Sequence, residues 1–257
     1  MREPGALRVL VTAGAGGVGR VIASRFHLAG SQVLACDIDE TAIQSLRREH
    51  GGLRGMIANV GDESSVEAVF AEFEAFCGGI DVLVNNVGIA GPTKPAEQLT
   101  LEEWNESLRV NLTSHFLFAR AAIPFMKAQG GGLIVNISSG SAKVGLPLRL
   151  PYVVSKGAVL SLTTNLAREL GPDNIRVNAI LPGAIRGPRI ERVIQEKAAA
   201  LGVSAVEHER SMLRYISMRT MVEADDIAAT VEFLASPGGR RITGQLIGVD
   251  GNVEWEE

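Results

Sequence analysis

Cysteine is nearly absent from this chain, with two in 257 residues. Cys36 closes an apparent strand and Cys77 an apparent helix, and no metal-type spacing links them. A disulfide scaffold and a thiolate metal site are therefore set aside in favour of reduced, packing thiols. Histidine is scarce too. None of His27, His50, His115 and His208 pairs at ligand spacing, so no metal is expected. Positive charge is in deficit: the formal net charge of -4 argues against nucleic acid or an anionic membrane as a partner. No apolar run is long enough to span a bilayer, and the opening residues do not read as a signal peptide, so a cytoplasmic protein is expected. Low-complexity tracts, internal repeats and linkers are missing as well. With 46% hydrophobic residues, the chain reads as one domain over 1–257 with a sizeable core.

What is present is rhythm. Short β-like runs at Arg8–Thr12, Gln32–Cys36, Gly55–Ala58, Asp81–Val84, Gly132–Ile137, Ile175–Ile180 and Leu246–Val249 alternate with helical patterns. That alternation predicts an α/β fold, a doubly wound parallel seven-stranded sheet with helices on both faces. The first helix carries Val18, Val21, Ile22, Phe26 and Ala29 at helical spacing. A long helix is predicted after Thr100, with Leu101, Trp104, Leu108, Leu112, Ala119, Ile123 and Met126 on one side and a Thr100/Glu103 capping box at its start. Another carries Tyr152 and Lys156 and stops at Gly171-Pro172.

Between the first strand and the first helix runs Val11-Thr12-Ala13-Gly14-Ala15-Gly16-Gly17-Val18-Gly19. Glycines let the backbone turn tightly and approach a pyrophosphate, and the helix start offers free N–H groups and a positive dipole end. In its strand-before, helix-after context this turn is expected to bind a dinucleotide, as in a Rossmann fold. Asp37 closes the second strand, where a carboxylate accepts from the ribose hydroxyls and repels a 2′-phosphate. Neither Gly16 nor Ile38 supplies a cation to welcome that phosphate, so NAD is expected over NADP. Asn59-Val60 is positioned to flank the adenine, and the backbone of Asn85-Asn86-Val87-Gly88 to face the cofactor.

Tyr152 and Lys156 stand four residues apart, and Ser139 precedes the tyrosine by thirteen. On a helix, positions i and i+4 share a face, so the ammonium can lie beside the phenol and favour phenolate. Tyr152 thereby becomes a candidate general acid or base for a carbonyl/alcohol pair, with Ser139 hydrogen-bonding the same oxygen. Outside this context, such a pair is an ordinary tyrosine and lysine on a helix surface.

Taken in order, the glycine turn, Asn85-Asn86-Val87-Gly88, Asn111, Ser139, Tyr152-x-x-x-Lys156, Pro182-Gly183 and Gly244-Gln245…Val249-Asp250-Gly251 resemble the short-chain dehydrogenase/reductase family, in its shorter branch. The resemblance implies a catalytic tetrad. Tyr152 is the acid/base, Lys156 supports it and holds the nicotinamide ribose, and Ser139 polarises the substrate oxygen. Asn111 holds a relay water. It further implies cofactor contacts from Thr12, Gly14, Gly16, Gly17, Val18, Gly19, Asp37, Ile38, Asn59, Val60, Asn86, Val87, Gly88, Pro182, Gly183 and Ile185, and a homotetramer built on the long helices. The departures are Ala13 for a usual glycine, Asn59 for aspartate, Val87 for alanine and Gly187 for threonine. Ala13 is expected to fit if its backbone is not left-handed. The reaction implied is hydride transfer between NAD(H) and a secondary alcohol or ketone: a sugar, polyol, hydroxy acid or cyclic alcohol. Enoyl reductases of this kind space tyrosine and lysine more widely. The alternative is a catalytically silent relative that senses NAD(H) or scaffolds a partner.

The stretch 184–219 interrupts the strand–helix rhythm and holds seven basic residues against four acidic ones. It reads as a substrate lid. Arg149, three residues before Tyr152, and Arg186 and Arg189 in the lid are candidate cations for a polar substrate.

Overall fold

A computed structural model describes residues 6–253. Its strands are β1 (Arg8–Thr12), β2 (Gln32–Asp37), β3 (Arg54–Ile57), β4 (Val82–Asn85), β5 (Gly132–Ile137), β6 (Ile175–Pro182) and β7 (Leu246–Val249). All pair in parallel, in the order β3-β2-β1-β4-β5-β6-β7. The order reverses between β1 and β4, which opens a crevice at their carboxyl ends. The helices are α1 (Gly17–Leu28), α2 (Glu40–Glu49), α3 (Glu63–Cys77), α4 (Leu101–Leu108), α5 (Ser114–Gln129), α6 (Ser141–Val144), α7 (Leu150–Leu170), α8 (Pro188–Leu201), α9 (Ala205–Leu213) and α10 (Ala224–Ala235).

Side chains alternate across each strand, so each contributes to two cores. Leu10, Leu34, Leu83 and Ile134 face one side and pack with Phe70 and Phe73 of α3, Phe118 and Met126 of α5 and Leu170 of α7. Val9, Val11, Val33 and Val84 face the other, against Ile22 and Phe26 of α1, Ile43 and Leu46 of α2 and Val231 and Leu234 of α10. Strands buried on both faces read as the near-continuous apolar runs seen in the sequence.

The long helix after Thr100 differs from its expected form. It starts on the Thr100/Glu103 capping box, but a π-helical turn, Arg109–Thr113, separates α4 from α5. A wider turn shifts the helical register, so residues before and after it do not share one stripe. Leu101 is accordingly 74% exposed, whereas Ala119 and Met126 are buried. Asn111 sits inside that turn.

Candidate active site

The glycine turn is fixed from below by two polar side chains. Thr12 is fully buried, and its Oγ1 accepts from the backbone N–H of Asn86 at 3.0 Å and of Val87 at 3.2 Å. Asn86 Nδ2 donates back to the carbonyls of Thr12 and Ala13, both at 3.1 Å. The Thr12 side chain thus supports the turn from below. The condition set for Ala13 is not met. Its φ is +47°, so the alanine is left-handed and stands where glycine would be unstrained.

The two ends of the turn serve different purposes. A Cβ on Gly19 would lie 2.5 Å from Asn86 Nδ2 and closer still to the Ala13 carbonyl, so that glycine lets α1 approach β1. A Cβ on Gly16 would meet nothing within 4 Å. Gly16 is the N-cap of α1 and exposed, leaving open space over the helix start. Such a cradle suits a pyrophosphate. At its edge Asp37 accepts through Oδ2 from Ala15 N–H at 3.1 Å and through Oδ1 from Asp39 N–H at 3.2 Å. Ile38 beside it is 72% exposed. Arg20, which the sequence reading overlooked, reaches the Ala15 carbonyl at 3.2 Å, and its other nitrogen is engaged by Ser45 and Glu49. Asn59 Oδ1 accepts from Gly61 N–H at 3.2 Å, and Val60 is buried.

Around Lys156 the packing is tight. The side chain is almost wholly buried, yet its ammonium donates to the Ile137 carbonyl at 2.9 Å. Gly88 gives it room: a Cβ there would lie 2.9 Å from Nζ and 3.5 Å from Asn111 Oδ1. Asn111 is clamped to the loop after β4. Its Oδ1 accepts from Ile89 N–H at 2.7 Å, and its Nδ2 donates to the Ile89 carbonyl and to Ser155 Oγ, both at 3.0 Å. Ser155 in turn donates to the Tyr152 carbonyl at 2.8 Å. Ser155 lay within the Tyr-Val-Val-Ser-Lys string but was not read as part of the site. On α7, Tyr152 stands one turn before Lys156 and is partly exposed. Ser139 follows β5, its Oγ 2.9 Å from Ser141 Oγ. The structure therefore gathers Asn111, Lys156 and Gly88 directly, with Tyr152 and Ser139 on the adjoining segments.

His115 lies one turn beyond Asn111, fully buried. Its Nε2 donates to the Val87 carbonyl at 3.3 Å, since only a nitrogen can supply the proton. Burial, reinforced by the charge of Lys156, pushes its pKa down to about 3. It stays neutral and adds no second charge beside the lysine.

Two of the three candidate substrate cations, Arg149 and Arg186, are already engaged. Arg149 donates through Nη2 to the Ala90 carbonyl at 2.8 Å, and its guanidinium lies 5.2 Å from the Tyr152 ring centroid. Arg186 pairs with Glu223 at 3.2 Å and Glu209 at 3.6 Å. The Arg189 side chain lies outside the described residues. Pro182 and Gly183 end β6, with Gly183 N–H donating to Val249 at 3.0 Å, and Ile185 forms a parallel bridge to Val222.

A doubly wound sheet carrying this turn and this tyrosine–lysine helix defines a Rossmann-type oxidoreductase. Known proteins agree. A family model described as "Enoyl-(Acyl carrier protein) reductase" matches residues 13–253. The chain is 34% identical over 250 residues to the 3-oxoacyl-[acyl-carrier-protein] reductase FabG of Thermotoga maritima, covering 95% of this chain and 96% of that one. It is 37% identical over 252 residues to the probable galactose dehydrogenase GalD of Rhizobium meliloti, covering 95% and 94%. Among solved structures, an NAD+-bound xylitol dehydrogenase superposes with a TM-score of 0.87 at 28% identity, covering 95% and 97%. The chain belongs to the short-chain dehydrogenase/reductase family.

Proposed function

We propose that this chain is an NAD(H)-dependent dehydrogenase that interconverts a secondary alcohol and a ketone on a small sugar or polyol. The observation that carries the reading is the buried ammonium of Lys156. It is aimed by the Ile137 carbonyl, next to a clamped Asn111 and one turn from a partly exposed tyrosine. Taking an ammonium out of water costs several kcal/mol, so its placement one helical turn from Tyr152 marks more than a packing position.

When bound, the dinucleotide would accept or supply the hydride, held over Gly16 and Gly17 with its ribose at Asp37. The chain's own residues would manage the proton. Tyr152 takes it from the substrate hydroxyl during oxidation and returns it during reduction. Lys156 would hold the ribose of the bound dinucleotide beside Tyr152. Ser139 donates to the substrate oxygen, and Asn111, clamped to Ile89 and Ser155, would hold the relay water. The preference for NAD(H) is supported by the Asp37 carboxylate, by exposed Ile38 beside it, and by the engagement of Arg20 with Glu49. The substrate class is supported by the sugar and polyol names of GalD and xylitol dehydrogenase, with the α8–α9 segment as the covering lid.

Tyr152→Phe tests the reading. Losing a general acid/base costs about a hundredfold or more in kcat, whereas the ring still packs, so NADH affinity by fluorescence titration should stay within about twofold. A variant retaining more than a few per cent of kcat would overturn the assignment.

A further inference from the structure

We propose that Ser141 is a positioning residue that makes Ser139 a one-way hydrogen-bond donor to the substrate oxygen, an inference that rests on the dehydrogenase reading above. Ser141 reaches Ser139 twice. Its backbone N–H donates to Ser139 Oγ at 3.3 Å, and the two hydroxyl oxygens are 2.9 Å apart. The intervening loop is held from both sides. Gly140 N–H donates to the Pro182 carbonyl at 3.0 Å, and Ala142 N–H to the Ser139 carbonyl at 3.1 Å.

A serine hydroxyl has one hydrogen and two lone pairs. The Ser141 N–H, which can only donate, takes one lone pair of Ser139. The second contact has two orientations. If Ser139 donates to Ser141, it presents a lone pair to the pocket, which repels a ketone oxygen or a developing alkoxide. If Ser141 donates, both lone pairs of Ser139 are filled and its own O–H is left free to donate outward. A substrate oxygen selects the second orientation. It then terminates a chain, Ser141 to Ser139 to substrate, in which each donor polarises the next. Ser141 touches no reacting atom in this scheme. Its contribution passes wholly through Ser139.

A double-mutant cycle on Ser139→Ala and Ser141→Ala tests this, with Ser141→Thr as the conservative control and NADH titration showing that each variant retains its cofactor site. Loss of one oriented hydrogen bond is worth about fivefold to tenfold in kcat. Ser141→Ala should cause that loss when Ser139 is present, less than about twofold when position 139 is alanine, and no change in NADH affinity. Ser141→Thr should restore at least half of the activity. Equal losses in both backgrounds, or failure of threonine to restore kcat, would overturn the proposal. If Ser139→Ala alone leaves kcat unchanged, the role of Ser139 in the underlying reading fails first, and the proposal falls with it.

Discussion

Two glycines three residues apart should fail in opposite ways when each becomes alanine. At Gly19 the new methyl would lie 2.5 Å from Asn86 Nδ2 and closer still to the Ala13 carbonyl. An ordinary contact needs roughly 1 Å more on the carbonyl side, so α1 must retreat or the turn must open. Overpacking of this kind costs about 1–3 kcal/mol. Displacing Asn86 also endangers its two hydrogen bonds, to Thr12 and Ala13, each worth about 0.5–1.5 kcal/mol. The sum is about 2–6 kcal/mol, or a fall in Tm of about 4–24 °C for a chain of this size. At Gly16 the added methyl meets nothing and φ is -136°, a conformation any residue adopts. Gly16→Ala should therefore melt within about 1 °C of the parent, yet bind NADH about tenfold or more weakly, because the methyl occupies the cradle. Circular dichroism melts and NADH fluorescence titrations read both. A stable Gly19→Ala variant, or a Gly16→Ala variant with unchanged affinity, would refute the division between a glycine for packing and a glycine for the ligand.

Replacing Asp37 with Ser and Ile38 with Arg should move the ratio of kcat/KM values towards NADP(H), by removing repulsion and adding a phosphate partner; an unchanged ratio would count against Asp37 as the selector. His115 has a folded pKa of about 3, well below an ordinary histidine. The unfolded chain therefore binds the extra proton first on acidification. Stability contributed by keeping this ring neutral is present above about pH 6.5 and is lost as pH falls towards 3, by about 2 kcal/mol between pH 6.5 and 5. Urea melts at pH 7 and pH 5 should show a smaller difference in His115→Gln than in the parent, and equal differences would remove His115 as the cause. A homotetramer through the helices around Leu108–Met126 and Val159–Leu170 is proposed from the family resemblance, and Phe116 on α5 is 45% exposed. A monomer mass by light scattering at micromolar concentration would sink that expectation.

The parts of the fold that were legible in the sequence are those set by local rules. Alternation of buried valines and leucines located the strands, three of them with the same bounds, because a doubly covered strand must be apolar on both faces. The Thr100/Glu103 capping box and the Gly171-Pro172 stop are satisfied within a few residues of themselves, so they too were readable. The π turn at Asn111 was not. Its clamp is the backbone of Ile89, 22 positions away in sequence, and a helical stripe carries no mark of an inserted residue. The left-handed backbone of Ala13 was unreadable for a related reason. Alanine argues locally for φ below zero, but its carbonyl is held by Asn86 and the following Gly14 N–H by Cys36 at 3.0 Å. Those distant contacts fix a left-handed turn that costs about 1–2 kcal/mol at a residue with a Cβ.

The arginines make the same point about function. The charge count in 184–219 left most of its cations to solvent, but it offered Arg186 and Arg189, with Arg149 before the tyrosine, as candidates for a polar substrate. Each reading assumed a guanidinium with spare donors pointing inward. In the fold, Arg149 joins the loop after β4 to the start of α7 and lies against the Tyr152 ring, while Arg186 faces Glu209 and Glu223. A guanidinium so placed would have to surrender a hydrogen bond or an ion pair before it could bind substrate, which lowers its net contribution to affinity. Arg149 is therefore better suited to holding the tyrosine's ring and approach loop in place than to recognising charge. Under the proposed reading, a neutral polyol needs no free cation, and the Ser139 hydroxyl, oriented by Ser141, would offer it a donor beside α7.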